Sequence, residues 1–321
     1  MDYNRIRAAN DRLMGHKRVT PLLSSPFLDE IAGKRVFVKP ECLQHTGSFK
    51  YRGAFSAVSA LPDETRAKGV IAFSSGNHAQ GVALAARQHG ISSVIIMPAD
   101  APKTKIDNTR TLGAEVVLYD REHEDRDEIG ARISKERDLT LIKPFDEPEV
   151  IAGQGTCGVE IAEQAAELGI TDADVLVCCG GGGLTSGIAL ALEQDAPKMR
   201  VRPVEPKGFD DVCRSLISGK IERNPTTLGS LCDAIVTLSP GQLTFPIMQR
   251  LCHAGITVTE EQALRAMQLA HDRLKITVEP GGAVALAAAL FHGDQTSSDC
   301  VIAVASSGNV DRDVFERVLT A

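Results

Sequence analysis

Four consecutive glycines, Gly180 to Gly183, follow the apolar run Val175-Leu176-Val177-Cys178-Cys179 and lead into a helix-forming stretch. A strand that turns through glycine directly into a helix is half of a βαβ unit, and a parallel neighbour needs such a helical crossover. The order recurs along the chain. Gly69 to Phe73 runs through Ser74-Ser75-Gly76-Asn77 into a helix from His78 to His89, and Ser93 to Met97 precedes a helix from Lys103 to Leu112. Glu115 to Tyr119 precedes an acidic helix, and Thr140-Leu141-Ile142 closes the series. Strands that are apolar nearly throughout are buried on both faces, so these runs predict parallel sheets covered by helices on both sides.

A helix from Tyr3 to Met14 and a strand from Arg35 to Lys39 precede this series. Beyond the turn at Pro144 to Pro148 come a helix from Gly155 to Leu168 and strands at Arg200 to Glu205 and Cys300 to Ala305. The expected fold is α/β, with two lobes, each built on a mainly parallel twisted sheet, and a cleft between them. The expected division is 1–60 with 148–321 as a large domain and 61–147 as a small one. The apolar stretch Gly281 to Phe291 is shorter than the roughly 18 residues that a membrane span needs and reads as a buried core helix.

The formal charge of -7, with no basic cluster, argues against nucleic acid or an anionic membrane as a partner. Met1-Asp2-Tyr3-Asn4-Arg5 carries no apolar signal region, so a cytoplasmic location is expected. Eight cysteines lack the paired spacing of a zinc site and read as free thiols.

In open parallel sheets ligands bind beyond the carboxyl ends of the strands, and small polar residues gather there in this chain. Lys50 follows the Arg35 to Lys39 strand, in the first turn of a helix. The positive end of the helix dipole and burial between Phe49 and Tyr51 both disfavour its ammonium form, which suits a nucleophilic lysine and Schiff-base chemistry. Gly180 to Leu184 can turn consecutive amides inward at a helix start, a pocket for phosphate; without a following Gly-Lys-Ser/Thr it is no Walker A loop. Ser74-Ser75-Gly76-Asn77-His78 and Ser306-Ser307-Gly308-Asn309 close two further strands, as ligand-binding turns or as helix caps.

Taken together, Ser48-Phe49-Lys50 with Arg52-Gly53-Ala54, Ser74 to His78, the tetraglycine loop, Glu205-Pro206, Glu279-Pro280 and Ser306 to Asn309 resemble the fold-type II pyridoxal-phosphate enzymes. Within them the motifs are similar to the serine/threonine dehydratase and serine racemase group, over nearly the whole chain. The resemblance implies pyridoxal 5'-phosphate carried on Lys50 beside Phe49, with Asn77 at the ring hydroxyl, Gly180, Gly181, Gly182, Gly183 and Leu184 at the phosphate, Glu279 nearby and Ser306 at the pyridine nitrogen. A neutral hydroxyl there makes the ring a weaker electron sink than a carboxylate would, which favours prompt loss of a β-substituent. The resemblance further implies a small amino-acid substrate held by Ser74, Ser75, Gly76, Asn77 and His78, Ser75 as the acid or base opposite Lys50, a mobile small domain and a homodimer.

The expected reaction is dehydration and deamination of serine, threonine or 3-hydroxyaspartate to a 2-oxo acid and ammonia, with racemisation as a side activity. A β-replacing synthase and a non-catalytic phosphate binder are the alternatives. The acidic turn Glu205 to Asp211 is either solvated surface or a site for Mg2+ or Ca2+; the resemblance places ligands at Glu205, the Phe209 carbonyl and Asp211. Glu122 to Glu128 is either a solvated charge run or, by the same resemblance, brings Arg126 to a second substrate carboxylate. By the same resemblance His45 stands where animal serine racemases have a lysine that helps bind ATP, and with only a short stretch after Ala305 no regulatory domain is expected.

Overall fold

The apolar runs become strands, and the strands sort into two sheets. The computed structural model describes residues 2–320. Its strands are β1 (Leu23–Ser24), β2 (Arg35–Pro40), β3 (Val70–Phe73), β4 (Ser93–Pro98), β5 (Glu115–Tyr119), β6 (Thr140–Leu141), β7 (Asp174–Cys178), β8 (Arg200–Pro206), β9 (Ile256–Val258) and β10 (Cys300–Ala305). The helices before the tetraglycine loop are α1 (Tyr3–Leu13), α2 (Pro26–Ala32), α3 (Lys50–Ala60), α4 (Asp63–Lys68), α5 (Asn77–Gln88), α6 (Lys103–Thr111), α7 (Arg126–Arg137) and α8 (Pro148–Glu167). Those after it are α9 (Gly183–Asp195), α10 (Asp211–Ser218), α11 (Thr244–Leu251), α12 (Glu260–Leu269), α13 (Pro280–Phe291) and α14 (Arg312–Thr320).

One sheet has the order β1-β2-β10-β7-β8-β9 and the other β5-β4-β3-β6. Every pairing is parallel except that of the short β1 with β2. The smaller sheet draws on residues 70–141, the larger on 23–40 and 174–305. Their largely buried strands need cover on both faces, and α13 supplies it at the centre of the large sheet: Pro280 to Leu290 are all buried, against β10, β7 and β8. The core-helix reading of this stretch is met.

Helix α8 begins at Pro148, seven residues before the expected start at Gly155. The expected start lies beyond Gly153, because glycine lowers helix propensity and the turn at Pro144 to Pro148 precedes it; Gly155 and Gly158 fall within the expected helix. Close packing explains them. A Cβ on Gly153 would meet the Arg52 carbonyl oxygen at 2.4 Å, on Gly155 the Ile6 Cδ1 at 2.8 Å and on Gly158 the Ala191 Cβ at 2.8 Å. The glycines let α8 lie directly against α1, α3 and α9.

Strands β2, β10 and β7 are consecutive in the large sheet, in register from Ala305 opposite Pro40 to Val304 opposite Val177. Their carboxyl ends therefore deliver Lys50, Ser306 to Asn309 and the tetraglycine loop to one place. From the other sheet, β3 delivers Ser74 to Asn77.

Candidate active site

The turn that carries Lys50 is stitched to the end of β10. Thr46 and Gly47 take φ of 59° and 71°, and a Cβ on Gly47 would lie 2.7 Å from Asn309 Oδ1, so only glycine closes the turn there. The Gly308 amide donates to the Gly47 carbonyl at 2.9 Å and the Phe49 amide to the Ser306 carbonyl at 3.1 Å. One turn into α3, the fully buried Arg52 donates to both oxygens of Glu41, at 2.8 and 2.7 Å, and to both oxygens of Glu160 on α8, at 2.8 and 2.9 Å. Burial alone would raise the Glu160 carboxyl, but Arg52 and Lys39, the latter 2.7 Å away, hold it well below the usual carboxylate range. Removing one partner of such a buried pair costs about 3–5 kcal/mol, so the start of α3 is firmly fixed.

Lys50 Nζ donates to the Pro144 carbonyl at 2.9 Å and sits 5.2 Å from the centroid of the Phe49 ring. Burial pushes the amine down from 10.5 to about 8. The free base is thus far more accessible than in an exposed lysine.

A small cavity of about 50 Å³ joins Lys50 and Phe49 to Gly180, Gly181, Gly182, Gly183 and Leu184. Gly182, with φ of 90°, precedes α9, so the loop opens on the positive end of that helix. A Cβ would lie 2.5 Å from the Ile235 carbonyl oxygen at Gly180, 2.3 Å from the Phe145 ring at Gly181 and 2.5 Å from Met248 Cε at Gly182. Thr244 Oγ1 donates to the Gly181 carbonyl at 2.6 Å and holds the loop in place.

A second cavity, of about 230 Å³, shares Lys50, Pro144 and Phe145 with the first and is lined by Ser74, Ser75, Gly76, Asn77, His78 and Glu279. Gly76 is the N-cap of α5 and no side chain caps that helix, so the helix-cap reading of these serines fails. Ser306 to Asn309 opens no helix either, since α14 starts at Arg312. Asn77 donates to the Glu279 carboxylate at 2.6 Å and accepts from the Asn309 amide at 2.6 Å, a chain of two amides and a carboxylate that joins the two lobes' site loops. Burial raises the Glu279 carboxyl. His78 Nε2 donates to the Ile142 carbonyl at 2.9 Å, and burial pushes the imidazole down to about 3, so it is neutral.

Ser306 lines neither cavity; its hydroxyl is buried, has no partner among the described residues, and lies close enough to Cys178, a lining residue, to act on that thiol. Arg126 is the first residue of α7, capped by Asp125, with an exposed side chain outside both cavities. The segment around it is a solvated, helix-opening charge run in this structure. Lining residues that no motif marks are Gln80, Lys105, Phe145, Asp233, Ala234 and Thr237. Asn309, from the Ser306 to Asn309 turn, lines the cavity as well. A larger groove of about 480 Å³, bounded by Leu231, Leu264 and Val318, shares no residue with these cavities and carries no nucleophile.

Glu205 accepts from the Val212 and Cys213 amides at 3.0 and 2.7 Å and so caps α10. Burial, with Asp211 adding to it, pushes Glu205 up to about 8, and burial pushes Asp211 up to about 7. Asp211 Oδ2 is buried without a partner among the described residues. Those residues hold no cluster of three His, Cys, Asp or Glu side chains, so a cation here would need the Phe209 carbonyl or water as well.

The chain matches the family described as "Pyridoxal-phosphate dependent enzyme" over residues 13–308 and belongs to it. It is 40% identical to a serine racemase of Arabidopsis thaliana, over 95% of this chain and 92% of that one. It is 41% identical to an L-threo-3-hydroxyaspartate ammonia-lyase of Pseudomonas sp, over 99% and 98%. A crystal structure of a threonine deaminase from T.th. superposes with a TM-score of 0.91 at 43% identity, covering 97% of this chain and 99% of that one. The expected family, and its fold of two helix-covered parallel sheets with the site between them, are thereby met.

The residues present fit the cofactor that the family name implies. A depressed lysine amine, a cradle in which each of three glycines excludes a Cβ, and an unpartnered buried hydroxyl behind Cys178 suit an aldehyde, a phosphate and a ring nitrogen respectively.

Proposed function

We propose that the enzyme removes water from a β-hydroxy amino acid, serine, threonine or 3-hydroxyaspartate, and releases a 2-oxo acid and ammonia. The observation that carries the reading is a lysine amine lowered to about 8 at the junction of a glycine cradle and the Ser74 to His78 loop. Pyridoxal phosphate, when bound, supplies an electron sink for charge developing at Cα. Gly180 to Leu184 would hold its phosphate, Asn77 its ring hydroxyl and Ser306 its ring nitrogen, with Phe49 and Glu279 in the surrounding wall.

Lys50, as a free base, takes the Cα proton. Ser74, Ser75, Gly76 and Asn77 bind the substrate carboxylate through hydroxyls and amides, and neutral His78 shapes that wall without adding charge. The β-hydroxyl leaves with a proton as water, and one water is consumed when the released enamine tautomerises to the imine and hydrolyses, so the net products are the 2-oxo acid and ammonia. Ser75, on the face opposite Lys50, would exchange a proton at Cα and so allow racemisation. Arg126 would add a contact to a second carboxylate once its segment closes over the cleft, with residues 61–147 as the closing domain.

Glu205, the Phe209 carbonyl and Asp211 would hold Mg2+ or Ca2+, a reading supported by two neighbouring buried carboxylates and the unpartnered Asp211 Oδ2. A homodimer is proposed on family likeness. A cytoplasmic setting is supported by eight cysteines that are all free, and no helix among the described residues is long and apolar enough to cross a membrane. The test is a panel of β-hydroxy amino acids, both enantiomers, scored for 2-oxo acid and for inverted substrate. Absence of 2-oxo acid from every member would refute the elimination.

A further inference from the structure

Lys105 is the second basic side chain of the larger cavity, and nothing in the reaction above uses it. It lies in the first turn of α6, and that turn also holds Lys103 and has no acidic residue. The positive end of a helix dipole disfavours cations there, so local helix stability does not account for a lysine at this position. The side chain is partly buried, and among the described residues its ammonium has neither a hydrogen bond nor a carboxylate within ion-pair distance.

Its position within the site is specific. Lys105 shares the cavity wall with Ser74 to His78 but is absent from the wall of the glycine-loop cavity, so it faces substrate and not phosphate. Two acidic side chains, Asp233 and Glu279, line the same cavity. Glu279 is engaged by Asn77, and Lys105 is near enough to act on its ionisation across the cleft without pairing. With the α-carboxylate on the Ser74 to His78 loop, the part of the cavity wall that Lys105 occupies remains for a group further along the substrate.

We propose that Lys105 is a specificity-determining residue that binds a second carboxylate of the substrate, so the preferred class is the β-hydroxy amino dicarboxylic acids, of which 3-hydroxyaspartate is the simplest. This rests on the elimination reading above. Unlike Arg126, which stands exposed outside both cavities, Lys105 meets that carboxylate without movement of the segment 120–128. The competing role is a latch, in which Lys105 pairs with Asp233 as the cleft closes.

The experiment compares the cofactor-loaded wild type with Lys105→Met, Lys105→Arg and Asp233→Asn. A charged hydrogen bond shielded from water supports a loss in Lys105→Met of roughly ten- to a hundredfold in kcat/KM for 3-hydroxyaspartate, with a much smaller loss for serine and partial rescue in Lys105→Arg. Binding is read separately by calorimetry with succinate and butyrate, which differ by one carboxylate. Wild type should prefer succinate and Lys105→Met should not. Equal losses on both substrates, reproduced by Asp233→Asn, would replace the carboxylate contact with the latch. An unchanged succinate preference would also overturn the proposal. If no β-hydroxy amino acid yields 2-oxo acid in wild type, the elimination reading fails, and the succinate comparison still decides the role of Lys105.

Discussion

The amine of Lys50 donates to the carbonyl of Pro144 across 2.9 Å, which ties the first residue of α3 to the segment that leaves the smaller sheet. That enclosure is why burial lowers the amine to about 8. Below this value the cofactor-free protein holds a protonated, unreactive lysine; above it the free base predominates. The rate at which cofactor-free protein takes up pyridoxal phosphate should therefore rise with a midpoint near 8 rather than near 10.5. Stopped-flow absorbance gives the profile, and a midpoint near the ordinary lysine value would show that the amine is solvated.

Ser75 lines the substrate cavity and caps no helix. Ser75→Ala is expected to lose racemisation and turnover of D-substrates while keeping part of its L-dehydration, with an unchanged melting temperature. Racemisation at the wild-type rate would remove Ser75 from the face opposite Lys50.

Glu205 and Asp211 lie close enough for Asp211 to raise the Glu205 carboxyl, and Asp211 Oδ2 lacks a partner among the described residues. A chelator should lower the melting temperature, and Mg2+ or Ca2+ should restore it. Asp211→Asn should abolish that response. A melting temperature indifferent to chelator and cation would leave Glu205 and Asp211 as buried carboxyls, the former capping α10, without a cation.

Arg126 heads α7 with its side chain exposed. Should closure bring it to the substrate, Arg126→Ala lowers kcat/KM for 3-hydroxyaspartate by roughly tenfold or more and for serine much less, since charged hydrogen bonds contribute about 1.5–3 kcal/mol. Wild type is expected to turn over 3-hydroxyaspartate more efficiently than threonine. Equal losses on serine and 3-hydroxyaspartate would assign Arg126 to closure or stability.

Much of the site was legible because its parts sit at strand ends, where sequence marks them twice, by the apolar run before and the glycine or serine turn after. Lys50, the tetraglycine loop and Ser74 to His78 all carry that mark. Lys105 and Asp233 carry none: one is an ordinary lysine on a polar helix and the other lies in a stretch without periodicity, and they reach the cavity only through packing. The span between β8 and α13 was read least well. Strand β9 is three residues long, too short for an alternation to show. Yet Thr259-Glu260-Glu261-Gln262 forms a capping box at the start of α12, a signal present in the sequence and passed over. The early start of α8 is hidden by Gly153, whose reason is the approach of α3, which no local propensity records.

The central claim, that Lys50 is the amine on which the chemistry turns, is tested most directly by Lys50→Ala assayed beside wild type for 2-oxo acid from serine and 3-hydroxyaspartate, with borohydride reduction and peptide mapping of the loaded protein. The account predicts that wild type yields 2-oxo acid and a cofactor-bearing peptide containing Lys50, and that the variant, folded and able to retain phosphate in the glycine loop, yields neither. Normal 2-oxo acid production by Lys50→Ala, or a reduced cofactor mapped to another lysine, would contradict it.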